Sequence, residues 1–199
     1  LNSDDPQTVE NALQVVNKLI SHCVIPVSKA RFEQSVNSLR QLVKQGDKEN
    51  DIAEAVGEIE TIAKTFKVLG LDQNEKSAKV FANAVDLILQ VLQVFQTGGS
   101  FAKLGQCMQA LGTIGLVHHA LAKEILPKLS VVLRKEHWLV RLDAAKALGG
   151  GAQAYKGLAE QAFHPLSTAL QEDTDPLARQ AAAKALEYLQ RVHPDLANN

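Results

Sequence analysis

The chain has 199 residues, of which 46% are hydrophobic and 5% aromatic, with 12 Gly and 6 Pro. That supplies a continuous core and too little turn chemistry for a many-stranded protein, so almost no strand is expected. A formal net charge of -1 excludes the strongly basic field that advertises nucleic acid or an anionic membrane. In chain order, Asp5-Pro6 places an N-cap acceptor before a proline whose missing N–H costs nothing in a first turn. Val9, Leu13, Val16, Leu19 and Ile20 follow at helical spacing, which predicts a first helix over about 6–22. Val24-Ile-Pro26-Val is a break, and Ser28 is the expected cap of a second helix carrying Phe32, Val36, Leu39, Leu42 and Val43 on one face. A third helix carries Ile52, Val56, Ile59, Ile62, Ala63 and Phe66 and stops near Gly70. A fourth, capped by Asn74, holds the apolar stripe Phe81, Val85, Ile88, Leu89, Leu92 and Phe95, and Thr97-Gly-Gly-Ser100 ends it. Ser100 caps a fifth with Phe101, Leu104, Met108 and Leu111; a sixth runs from about His118 to Arg134. The seventh spans Trp138 to about Gly149, the eighth about Gly157 to Gln171, and the ninth starts at Asp175-Pro176 and ends near Val192, before Pro194.

Superposed on these helices is an internal echo. Trp138-Leu-Val-Arg141-Leu-Asp-Ala-Ala-Lys-Ala-Leu148 returns as Pro176-Leu-Ala-Arg179-Gln-Ala-Ala-Ala-Lys-Ala-Leu186, and Pro127 and Pro165 keep the same offset. A shift one residue shorter lays Ala110-Leu-Gly112 on Ala147-Leu-Gly149 and Phe101 on Trp138 as a degenerate third copy, with Leu104 in place of the Arg. A period of this size belongs to stacked helical pairs, in which each pair leaves an apolar face that only the next can cover.

The segment from Leu126-Pro127 through Val140-Arg141 to Ala147-Leu148-Gly149, with its echo from His164-Pro165 through Arg179 to Leu186, resembles HEAT repeats over about residues 118–192. The resemblance fades over 85–117 and has no motif before that. It implies an all-α superhelix of about nine helices in antiparallel pairs, forming a right-handed stack of about four or five pairs. On this reading residues 1–199 form one helical-repeat domain, with divergent pairs over 1–96 and HEAT-like repeats over 97–199. It also implies that Arg141 and Arg179, one turn into the second helix of a pair, bind an acidic turn residue of their own or an adjacent repeat. The turn Arg134-Lys-Glu-His137 departs from the family by lacking the favoured Asp.

Ala144, Ala145, Ala147, Ala182, Ala183 and Ala185 read as small contacts between layers, and Leu148 and Leu186 as core. Trp138 reads as a ring packed on the preceding helix, or as a partly exposed anchor beside the basic residues Arg134 and Lys135. Tubulin-binding arrays of this repeat class have a comparable turn tryptophan. His118-His119 cannot clamp a metal, because adjacent helical positions diverge by about 100°; a solvated or capping pair is expected. Cys107 reads as a core thiol, and with Cys23 it points to free thiols in a reducing compartment, the cytoplasm or the nucleus. Gly149-Gly-Gly151 lacks the Lys-Ser/Thr of a phosphate loop and reads as a helix C-cap and flexible joint. The run Val85 to Phe95, broken by Asp86, Gln90 and Gln93, is far too short to span a bilayer.

These readings converge on a non-catalytic interaction or scaffold module with no cofactor and no metal, binding a protein or peptide. A first residue Leu1 points to a piece of a longer protein. The expected contact residues are Arg134, Lys135, His137 and Trp138, with Lys146 and Lys184 behind them. Alternatives are a nucleic-acid-binding or tubulin-binding module, and an enzyme on a helical scaffold. Nucleic acid is disfavoured by charge, and the enzyme by the lack of an acidic or aromatic pocket cluster in the sequence.

Overall fold

The structure, a computed structural model, describes residues 25–45, 49–68, 75–98, 101–135 and 137–198. Eight α-helices follow in chain order among the described residues: α1 Ile25–Gln45, α2 Glu49–Val68, α3 Glu75–Gly98, α4 Phe101–Val117, α5 His119–Val132, α6 Trp138–Ala152, α7 Lys156–Glu172 and α8 Pro176–Val192. A short 3₁₀ turn, Pro194–Asn198, closes the series, and no strand occurs among the described residues. The helix expected over 6–22, with its Asp5-Pro6 cap, lies outside the described residues, as do Cys23 and the expected caps Asn74 and Ser100.

Two boundaries differ from expectation. The described part of helix α1, Ile25–Gln45, contains both Pro26 and Ser28, so Ser28 is inside the helix rather than its cap. Helix α6 continues through Gly149, Gly150 and Gly151 to Ala152, so the glycine run is helical and is neither a C-cap nor a joint. The packing of these glycines gives the reason. A Cβ on Gly149 would lie 2.6 Å from Ala185 Cβ on α8, and one on Gly112 of α4 would lie 2.8 Å from the Ala147 carbonyl oxygen on α6. Close approach of successive second helices therefore requires glycine at both points, and the helices hold the backbone that glycine alone would leave loose.

The helices pair as α1/α2, α3/α4, α5/α6 and α7/α8, and the pairs stack. Even-numbered helices form the tighter layer, α2 on α4, α4 on α6 and α6 on α8, while the odd-numbered ones touch one another sparingly. We call the even-numbered helices the inner layer. One core of buried side chains runs through the pairs from Phe32 and Leu39 in α1 to Leu189 in α8 and Leu196 in the 3₁₀ turn. Ala144, Ala145, Ala147, Ala182 and Ala185 are buried between layers as expected, whereas Ala183 is half-buried.

Polar ties set the register. Ser35 on α1 donates to Glu58 on α2 (2.5 Å), and Thr113 on α4 donates to Glu60 on α2 (3.2 Å). Two contacts 38 positions apart tie a turn to the preceding repeat: Tyr155, just before α7, donates its hydroxyl to the Val117 carbonyl at the end of α4, and His193, just before the 3₁₀ turn, places Nε2 2.8 Å from the Gln153 carbonyl oxygen. Leu121, Leu158 and Leu196, which share this register, are all buried.

Candidate partner-binding surface

Arg141 organises the ridge formed by the turns between paired helices. Its Nε and Nη2 donate to the two carboxylate oxygens of Asp173, each at 2.7 Å, and its Nη1 donates to the Lys135 carbonyl at 2.9 Å. This single side chain therefore ties the turn before α6 to the turn before α8. The pair is largely withdrawn from water, with 13% of the Arg141 and 3% of the Asp173 side chain exposed. The bidentate bond from Arg141 holds the Asp173 carboxyl below its usual range and raises the guanidinium further. Asp173 also accepts from the Asp175 N–H (2.9 Å), and Arg179 Nη1 donates to the Asp173 and Thr174 carbonyls at 2.8 and 3.2 Å. Arg141 thus binds the acidic turn residue of the adjacent repeat, and Arg179 binds the backbone of its own turn. Asp175 caps α8 as read from Asp175-Pro176, accepting from the Leu177 and Ala178 N–H groups.

Between these turns lies an open groove of about 600 Å³, lined on one side by Ser130, Leu133, Arg134 and Lys135 and on the other by Pro165, Thr168, Ala169, Glu172 and Thr174. Arg134, Lys135 and Glu172 are exposed and form no ion pair among the described residues. Beside it, His137 stands at the N-cap of α6, its Nδ1 accepting from the Leu139 N–H (3.3 Å), and so replaces the missing Asp. Its ring stacks on Phe101 at 3.6 Å and 11°, with Trp138 next in line at 6.2 Å and half-buried. Phe101, at the equivalent position of the degenerate copy, is half-buried too and packs against the core.

Lys146 and Lys184 fall elsewhere, on the inner layer. Lys146, exposed and 3.5 Å from Asp143, lines a groove of about 460 Å³ between α4 and α6 together with Gln106, Gln109, Gly112, Thr113 and Gly150. Lys184 is exposed on α8, where Leu177 and Tyr188 are also 49% and 40% exposed. The six residues singled out from sequence therefore form a ridge group and an inner-face group and do not make one site. Gln109, Lys146 and Lys184 are equivalent in the 37–38-residue register, a signal that pointed to the inner face. Glu172 across the ridge groove was legible only as an acidic turn residue.

Other candidate chemistry resolves into packing. His118 is 2% exposed and its ring packs on Phe81 at 5.0 Å, so it is neither solvated nor a side-chain cap; His119 is exposed and lies against Tyr155 at 4.5 Å. Burial pushes the Cys107 thiol up to about 12, as a core position dictates. Among the described residues no cluster of His, Cys, Asp or Glu has metal-ligand geometry, and no helix is long and apolar enough to cross a membrane.

Stacked pairs with a proline-bearing first helix, and an Arg bonded to the acidic turn residue of the adjacent repeat, are the geometry that the resemblance implies. The family model for HEAT repeats matches residues 88–187, just over half of the chain. The chain belongs to the HEAT-repeat family. No curated protein matches it closely enough to count as a relative. The matched HEAT segment starts within α3 and ends within α8, so it covers both grooves. HEAT repeats generally mediate contacts between proteins and are typically non-catalytic.

Proposed function

We propose that this chain is a non-catalytic interaction or scaffold module that binds a protein or peptide on its repeat surface. The observation that carries the reading is the ridge, where Arg141 and Asp173 satisfy each other and leave Arg134, Lys135 and Glu172 exposed around a preformed groove. A surface whose walls are already fixed loses little entropy on binding. The inner-face groove with Gln106, Gln109 and Lys146 is the competing location on the same module.

Affinity capture with wild type, Trp138→Ala/Lys135→Glu and Lys146→Glu/Lys184→Glu tests the proposal. Loss of a common partner with the first pair places binding on the ridge, and loss with the second places it on the inner face. A wild-type bait that enriches no protein over an unrelated helical-repeat control, while circular dichroism shows it folded, contradicts the function.

A further inference from the structure

We infer that the ridge groove recognises a dipolar peptide segment, one that carries a carboxylate and a cation on neighbouring side chains. The inference rests on the reading that the ridge binds a partner. The groove has two walls of opposite sign. Arg134 and Lys135 stand on the turn that ends α5, and Glu172, the last residue of α7, stands opposite. The other two charges at the groove, Arg141 and Asp173, cancel in their bidentate pair and contribute structure rather than attraction.

Charge complementarity selects the occupant. A segment with only acidic side chains meets Glu172, and one with only basic side chains meets Arg134 and Lys135, so each gains on one wall and is repelled on the other. A segment with one of each satisfies both walls. The floor supports a peptide rather than a bare ion pair, because Leu133, Pro165 and Ala169 offer apolar contact while Ser130 and Thr168 offer hydroxyls for backbone groups. The Ser130 O–H is donated to the Leu126 carbonyl at 2.9 Å, which leaves its oxygen as an acceptor for a peptide N–H, and Thr168 supplies the second hydroxyl. A volume of about 600 Å³ accommodates a few residues, so the site reads a short motif and not a whole domain. The walls are held at a set spacing because Arg141 bonds both turns and Arg179 pins the second.

The test is a synthetic peptide array in which Lys and Glu are separated by zero to four Ala/Ser residues in both orders, with Lys-only and Glu-only peptides of equal length. Wild type is expected to retain dipolar peptides about tenfold better than either single-charge class. Glu172→Lys makes both walls basic and should shift retention to Glu-only peptides; Arg134→Glu/Lys135→Glu makes both acidic and should shift it to Lys-only peptides. All three positions are exposed, and circular dichroism verifies that each variant is folded. Equal retention of Glu-only and dipolar peptides by wild type overturns the inference, as does a selectivity that Glu172→Lys leaves unchanged. Retention lost in Lys146→Glu but kept in the ridge variants also overturns it, and leaves the proposed function standing on the inner face. If no peptide class is retained the inference is overturned, whereas the function proposed above falls only if affinity capture also returns no partner.

Discussion

Arg141 shows how one residue can matter more than its sequence context suggests. Its guanidinium bonds Asp173 twice and the Lys135 carbonyl once. Removing it leaves a carboxylate that is 3% exposed without its counter-charge. Arg141→Ala is therefore expected to cost about 3 kcal/mol in chemical denaturation, far above the 0–1 kcal/mol or so of an exposed pair such as Lys128–Glu124. The pH dependence follows in sign. The folded-state pKa of Asp173 is depressed by Arg141, so its contribution is complete above the unfolded value of about 3.9 and is lost as pH falls through the lower folded value. Stability measured from about pH 5 down to pH 2 should fall less steeply in Arg141→Ala than in wild type; identical slopes would show that the pair does not carry this linkage. Cys107, whose thiol burial pushes to about 12, should resist a thiol reagent at pH 8 in the folded protein and react on unfolding. Prompt native-state labelling at Cys107 would contradict its place in the core.

At the scale of a helix, α6 places the same residue type in opposite roles one position apart. Gly149 faces α8, where a Cβ would meet Ala185 Cβ at 2.6 Å, and Gly150 faces open space. Gly149→Ala should destabilise the protein by about 1–3 kcal/mol because two helices must separate. Gly150→Ala should stabilise it by about 0.5–1 kcal/mol through helix propensity alone. Thermal unfolding of the two variants decides the matter, since equal shifts would mean that the inner layer yields freely at Gly149. Glu187 occupies the register of Gly112 and Gly149 on α8 and is exposed. A further helix could not approach α8 there as closely as α8 approaches α6.

For the whole molecule, stacking makes coupling local. Each inner helix packs on its neighbours, α2 on α4, α4 on α6 and α6 on α8, so energy lost at one junction should be felt there first. Gly149→Ala is expected to raise amide exchange in α6, α7 and α8 while leaving α2 near its wild-type protection. Uniform loss of protection through α1 to α8 would show that the stack opens as one cooperative unit. The same locality bears on binding: the ridge groove is built by the turns before α6 and α8, with α5 and α7 as its sides, and the inner groove by α4 and α6. A variant in one should leave the other intact.

Helix content, the pairing of helices and the family were legible in the sequence, because apolar spacing, caps such as Asp175-Pro176 and a 38-residue echo are local signals that survive without coordinates. The role of Arg141 was legible through the resemblance, since its partner lies in the next turn of a repeating unit. What a glycine faces is not local. Gly149-Gly-Gly151 has the composition of a loop, and only the position of Ala185 across the interface explains why it is helix. His118 and His119 are adjacent and chemically identical, yet one is buried on Phe81 and the other exposed, a difference set by the neighbouring helix. Likewise the six candidate contact residues read as one group in sequence, but Arg134, Lys135, His137 and Trp138 stand at the turn before α6 and its first residue, while Lys146 and Lys184 stand within α6 and α8 on the inner layer. Sequence determined which helices form and which of them repeat. Tertiary structure decided which side chains meet across the layers, because interhelical distance depends on every residue at the junction at once.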